Sequence, residues 1–171
     1  MADSRKDLER IYDEHANHLF HFLLSLRCTE SECRDLIQQL FLKLARRPHL
    51  IQRARNERPF LMKMIYRLHL DELRQKMRHS GPSKPHAEPM TDLFEAGTDV
   101  DAETMRRHLE QALQALPENQ RVVVVLKLWH GSTFSDIAQV VGESMGTVTS
   151  RYRYGVNKLK DELRPFYQEL S

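Results

Sequence analysis

The chain is short of the residues that build hairpins, disulfide frameworks and membrane spans. Six glycines in 171 residues, with no stretch alternating apolar and polar positions, argue against a β-rich fold. Two cysteines, Cys28 and Cys33, are too few for a stapled secreted domain. No apolar run approaches the roughly 18 residues of a membrane span, and the opening MADSRKDLER has no hydrophobic leader segment. There is no phosphate-cradling glycine loop, no HExxH and no Ser-His-Asp order that marks a triad. Asp71 and Glu72 are adjacent, so on a helix they point about 100° apart and make a poor acid–base pair. These gaps disfavour catalysis, secretion and membrane insertion. An all-α cytoplasmic chain with no catalytic residue, metal or cofactor is expected.

What is present is charge, and it is segregated. Residues 1–80 carry 16 Lys/Arg against 11 Asp/Glu, residues 81–105 carry 1 against 6, and residues 106–171 carry 9 against 7. Two basic lobes therefore flank an acidic connector, and basic lobes suit a polyanionic partner. The connector GPSKPHAEPMTDLFEAGTD has three prolines, two glycines and no helical stripe, which suits a flexible linker. Boundaries at 1–80, 81–103 and 104–171 follow, with Asp92–Glu95 a short sticky segment inside the linker.

Three helices are expected in the first lobe. Leu8, Ile11, Tyr12, Leu19, Phe22, Leu23 and Leu26 recur at helical spacing, as do Cys33, Leu36, Ile37, Leu40, Phe41 and Leu44. Thr29 and Glu32 have the spacing of a capping box ahead of the second stripe. A third helix starts near Asn56 or Pro59, turns Phe60, Leu61, Met64, Ile65, Leu68 and Leu73 inward, and stops at Gly81-Pro82. Four helices are expected in the second lobe, broken at Pro117, Gly131 and Gly142. The β-branched run Val122–Leu126 could pass for a strand, but the strong helix signals around it favour helix.

Residues 133–156, TFSDIAQVVGESMGTVTSRYRYGV, have the pattern of a helix-turn-helix. Ile137, Ala138 and Val141 make one apolar face, Gly142 the turn, and Val148 the anchor of a second helix. From Ser144 to Lys160 there are four basic residues and no acidic one. Thr147, Thr149, Ser150, Arg151, Arg153, Tyr154, Asn157 and Lys158 would face outward, a set that fits the major groove of B-DNA.

Here a resemblance becomes specific. Residues 113–163 resemble region 4 of extracytoplasmic-function sigma factors, with Leu116-Pro117-Glu118, Arg121, Ile137-Ala138, Gly146-Thr147-Val148 and Ser150-Arg151 in step. DLIQQLF at 35–41 resembles the DLxQExF stretch of region 2, and FLMKMIYRLHLDELR at 60–74 its WLxxIAxNxxxDxLR stretch, with Asp71 and Arg74 aligned. Gln39, Phe60, Arg67 and Tyr154 depart from the pattern. The resemblance implies a three-helix region 2 and a four-helix region 4 that reads the −35 element. It also implies docking of the first lobe on the polymerase clamp (the β′ subunit) through Asp35, Gln38 and Gln39, and reading of the −10 element. An anti-sigma factor that clamps the lobes is implied as well.

Lys43–Arg78 holds 11 basic and 3 acidic residues, enough to hold phosphates and opened bases. Arg53, Arg55, Arg58, Lys63, Arg67 and Arg74 are the candidates, with Tyr66 a surface ring for stacking and Phe60 a core residue. Two other readings remain. A dimeric helix-turn-helix regulator with a sensing first lobe explains the second lobe alone. A metal sensor would use His15, His18 and His21 with the cysteines, but the i+6 position turns away and the cysteine spacing is wide for zinc.

Overall fold

The computed structural model of the chain describes residues 2–80 and 100–169, with no strand among the described residues. The first lobe holds α1 (Ala2–Ser25), α2 (Glu30–Arg46), a single-turn α3 (His49–Gln52) and α4 (Glu57–Ser80). The second holds α5 (Val100–Ala115), α6 (Glu118–Leu128), α7 (Phe134–Val141) and α8 (Met145–Glu169). The stretch 81–99, with the sticky segment expected in it, lies outside the described residues. None of the described helices is long and apolar enough to cross a membrane.

Local chemistry accounts for most boundaries. Thr29 and Glu32 form the expected capping box, at 2.8 and 3.2 Å. Glu32 also meets Lys76 of α4, so one carboxylate both starts α2 and ties it to a neighbour. A second box, Thr133 with Asp136, starts α7 and was not foreseen. Helix α5 begins four residues before the expected lobe boundary. Glu103 in its first turn pairs with Arg106 at 2.8 Å and Arg107 at 3.1 Å, and such i,i+3 and i,i+4 pairs support an exposed helix. The extra helix α3 is too short to show a period; it is held by burial of Ile51.

The expected stripe of α2 is buried from Cys33 to Leu44 against α1 and α4. The turn between α1 and α2 ends in Arg27, whose φ of +66° is the left-handed region where glycine is the usual choice. Its N–H donates to Leu24 O and that of Cys28 to Leu23 O, which closes the helix end.

In the second lobe Gly142 makes the turn at φ +72°, and both its N–H and that of Glu143 donate to Ala138 O. Gly155 is needed for a different reason. A Cβ there would lie 2.7 Å from Val124 Cγ2 and 3.5 Å from Gln120 Cβ, because α6 crosses α8 at that point. Gly155→Val should therefore destabilise the second lobe by about 2–3 kcal/mol, from overpacking. Urea unfolding followed by circular dichroism measures it, and an unchanged midpoint would mean that the crossing yields at no cost.

The lobes are not held apart. Helix α4 packs on α7, and α1 on α6. Val122–Leu126 are all buried, at 0–1 % exposure. Five consecutive buried positions span more than a full turn, so a helix can hide them only when it is covered on every side. Helices α7 and α8 cover one side and α1 of the first lobe another. The β-branched run is thus a helix placed at the joint between the lobes.

Candidate nucleic-acid interface

The recognition unit is α7, the Gly142 turn and the first half of α8. Ile137, Val140 and Val148 are buried and lock the two helices together. Two stripes on α8 face outward. Met145, Thr149, Arg153 and Asn157 follow one another at i+4 and are all exposed. Beside them run Ser150, Tyr154 and Lys158, with Tyr154 at 55 % exposure.

Two hydroxyls of the expected set are already engaged. Thr147 Oγ1 lies 2.9 Å from Ser144 Oγ, and Thr149 Oγ1 donates to Met145 O at 2.7 Å. Arg151 is half-buried and paired with Glu143 at 2.8 Å, whereas Arg153 projects over the Tyr154 ring at 5.4 Å. Arg153 is the cation best placed to leave the protein surface.

The residues expected to meet the −10 element divide between two faces of α4 about 120° apart. Lys63, Arg67 and Arg74 line one face; Arg67 and Arg74 are exposed, and Arg74 is paired with Asp71 at 3.0 Å. Arg53 and Arg55 are exposed in the segment before α4. Arg58, Met62, Tyr66 and His69 line the other face, which the second lobe covers. Tyr66 as a surface ring is therefore corrected. It is 8 % exposed, packed beside Phe22 and His69, and the charges that act on it include Glu118, Arg151 and Glu143 of the second lobe. The inner-face stripe read from sequence missed this second face. The available signal was Met62, Tyr66 and His69 recurring at 3–4 spacing.

Asp35, Gln38 and Gln39 are exposed on α2, as expected. Beside them an apolar groove of about 770 Å³ opens between α1 and α2, lined by Tyr12, Phe20, Ile37, Phe41 and Leu42 among others. Leu42 is 50 % exposed.

Beside the apolar Val122–Leu126 run, the joint between the lobes carries a polar cluster built around two histidines. Arg27 reaches across to donate to Gln114 O at the end of α5, where Arg121 also donates. Cys28 Sγ lies 3.2 Å from His69 Nδ1, and His69 Nε2 lies 3.6 Å from Glu118 Oε1, an ion-pair rather than a hydrogen-bond distance. Burial opposes charge on His69, but Cys28 and Glu118 outweigh it and raise its pKa to about 9. Hydrogen bonding to Cys33 and burial push the Cys28 thiol up, so it stays protonated and unreactive.

His130, the residue after Trp129 at the end of α6, meets the Phe22 ring edge-on at 5.7 Å and faces His18. Burial first, then the charges of Arg58, His18 and His21, push it down to about 4 from 6.5. A site that disfavours protonated His130 is weakened as pH falls from 6.5 towards 4. The contribution of charged His69 is complete below 6.5 and lost as pH rises through 9. Docking of the lobes should accordingly be tightest near pH 6.5. The alkaline limb should be the shallower, because Cys28 belongs to the same lobe as His69 and stays beside it on opening. Small-angle scattering against pH measures this: His130→Phe should weaken the acid limb without touching the alkaline one, since His18 and Glu118 are also pushed down there, and His69→Gln should remove the alkaline limb.

The three N-terminal histidines do not converge. His15 lies 3.5 Å from Glu57, His18 faces His130, and His21 Nδ1 lies 2.9 Å from Asn17 O. The cysteines sit elsewhere, Cys28 beside His69 at the joint and Cys33 in the core of the first lobe. One group of possible metal donors comes together among the described residues, Glu14, His15 and Glu57, and Arg10 already bonds both of its carboxylates at 2.8 Å.

Residues 11–79 match the family described as sigma-70 region 2, and residues 106–159 that described as sigma-70, region 4. The chain is similar to RNA polymerase sigma factor CarQ of Myxococcus xanthus, at 30% identity over 172 residues covering 100% of this chain and 98% of that one. It is similar to the ECF RNA polymerase sigma factor SigL of Mycobacterium tuberculosis, at 27% over 154 residues, 90% of this chain and 86% of that one. Its fold is that of the sigma factor RpoE of Bartonella quintana, solved in complex with the anti-sigma factor NepR, with a TM-score of 0.72 at 19% identity over 96% of this chain and 98% of that one.

Proposed function

The chain belongs to the extracytoplasmic-function group of the sigma-70 family, and from that premise we propose how its two lobes divide the work of directing RNA polymerase to promoters. The first lobe docks on the polymerase clamp through the exposed Asp35, Gln38 and Gln39 of α2. Its Arg53, Arg55, Lys63, Arg67 and Arg74 hold the −10 element, and Arg58 and Tyr66 join them once the second lobe moves away. The second lobe reads the −35 element through α8. The observation that carries this reading is the exposed Met145–Asn157 stripe of α8 with Tyr154 and Lys158 beside it, free of acidic side chains and laid on a glycine-turned helix pair. No chemistry of its own is assigned to the chain, and it acts in the cytoplasm beside the polymerase.

Energetics argue against action alone. Opening five base-pair steps costs roughly 7 kcal/mol at about 1.4 kcal/mol per step. Each specific base contact returns about 1–3 kcal/mol. The polymerase must supply the difference, so the free chain binds promoter DNA weakly and the assembled enzyme binds it selectively. The partner named for the Bartonella quintana relative supports an anti-sigma factor as a further partner here.

Run-off transcription with core polymerase on a randomised promoter library tests the reading. Two enriched elements about 16–17 base pairs apart are expected, a span of roughly 55 Å at 3.4 Å per pair. Start sites spread without preference would overturn it, as would melting of duplex DNA by the isolated chain.

A further inference from the structure

The head of α8 is apolar on its outer side. Met145 is 52 % exposed, and Thr149, one turn on, is exposed as well. Between them Gly146 is exposed and has no side chain, with only Ser144 Oγ, at 3.9 Å, near the place of a Cβ. The hydroxyls that open the helix are occupied in opening it. Ser144 Oγ accepts from the Thr147 N–H at 3.1 Å and lies 2.9 Å from Thr147 Oγ1, which satisfies one of the free donors of a helix N-terminus.

Thr149 decides the chemistry of this patch. Its hydroxyl donates to Met145 O at 2.7 Å, one turn back on the same helix. A threonine hydroxyl has one proton, so Thr149 cannot also donate to a base. With the oxygen turned onto its own helix, the group left on the outside is the Cγ2 methyl. A thioether chain and a methyl therefore lead α8 into a major groove. Thymine is the DNA base that offers an apolar group there, its C5 methyl, and a threonine methyl is among the groups that meet it. In a helix-turn-helix the N-terminal residues of the second helix reach the base edges, and that is where Met145 and Thr149 stand. The bare Gly146 lets the helix head come close. Arg153 follows Thr149 by four residues, about 6 Å along the helix. That distance matches about two base pairs at 3.4 Å each.

We propose that Thr149, through its methyl, and Met145 are specificity-determining residues that select a thymine C5 methyl in the −35 element, about two base pairs from the base that Arg153 contacts. This rests on the reading of α8 as the −35 reader and names the chemistry that it selects. The usual role of such a threonine, a hydroxyl bonded to a base, is excluded by the bond to Met145 O.

Two substitutions separate methyl from hydroxyl. Thr149→Ser keeps the hydroxyl and its bond and loses the methyl. Thr149→Val keeps the methyl and loses the hydroxyl. Holoenzyme assembled with each chain is titrated with the duplex promoter selected from the randomised library. It is then titrated with copies in which one −35 thymine at a time, on either strand, is replaced by deoxyuridine. That replacement removes the C5 methyl and leaves base pairing as it was. Wild type should lose about three- to fivefold in affinity at one or two thymines, the scale of one buried methyl group. Thr149→Ser should bind the unmodified promoter as weakly as wild type binds the deoxyuridine copy, with no further loss on that copy. Thr149→Val should keep the discrimination, and Met145→Ala should reduce it to about twofold. Circular dichroism checks that each variant keeps the helix content of wild type.

A wild-type enzyme indifferent to every deoxyuridine would overturn the proposal. So would a Thr149→Ser chain that discriminates like wild type, a Thr149→Val chain that does not discriminate, or a Met145→Ala chain unchanged from wild type. A selected −35 element with no A·T pair would overturn it as well. Selection of no −35 element at all is seen in the library itself, before any deoxyuridine copy is made; it sinks the sigma-factor reading and this assignment with it.

Discussion

Arg153→Ala should lower −35-dependent initiation by about tenfold to a hundredfold while leaving affinity for core polymerase unchanged, the range for losing one good base contact. Arg153 has the position for such a contact. It lies on the exposed Met145–Asn157 stripe of α8, with its guanidinium over the Tyr154 ring at 5.4 Å. Arg151, two residues away, is held by Glu143 at 2.8 Å and half-buried, so Arg151→Ala should cost several-fold less. The comparison needs transcription from the selected promoter and from one with a scrambled −35 element, each across a range of salt. A base contact is lost only on the selected promoter. An equal loss on both, with a salt slope reduced by about 1, would make Arg153 a phosphate contact instead.

Leu42→Asp should weaken binding to core polymerase by about a hundredfold without lowering the melting temperature of the chain, as expected when a hot-spot side chain is removed from an interface. Leu42 is half exposed at the edge of the α1–α2 groove, on the same helix as Asp35, Gln38 and Gln39. An apolar side chain beside three polar ones makes a small anchor within a polar surround, the arrangement that carries most of the energy in protein interfaces. Because the side chain is already in water, its loss costs the fold little. Affinity is measured by fluorescence anisotropy with labelled chain and core enzyme. Unchanged affinity would move the docking face away from α2.

Several features were readable locally. The capping box at Thr29 and Glu32, the buried stripe from Cys33 to Leu44 and the Gly142 turn each depend on residues within a few positions of one another. So does the outward face of α8. Local geometry decides such features before any tertiary contact forms. The helix–strand ambiguity of Val122–Leu126 was a warning of a different kind: a run apolar on every side needs cover on every side, and its cover includes a helix from the other lobe.

Tyr66 shows where local reading stops. An amphipathic ring among basic residues is at home on a wet DNA-facing surface or in a half-polar joint; Met62, Tyr66 and His69 at 3–4 spacing mark a second face of α4 but not what covers it. The divided −10 set has the same origin: Lys63, Arg67 and Arg74 share one face of α4 and Arg58 and Tyr66 another, but only the docked lobe makes the second face different. The left-handed Arg27 was equally hidden, because its strain is offset by a bond to Gln114, 87 positions away.

By itself, then, the sequence determined the all-helical class, the two lobes, the helix-turn-helix and the basic outer stripe, through periodicity, capping and charge that act over one or two turns. Tertiary structure alone decided that the lobes meet, that Tyr66 and Arg58 lie between them and that His69 and His130 are driven to opposite protonation states. Those outcomes arise from desolvation and from charges brought together across long stretches of chain, and no local pattern carries that information.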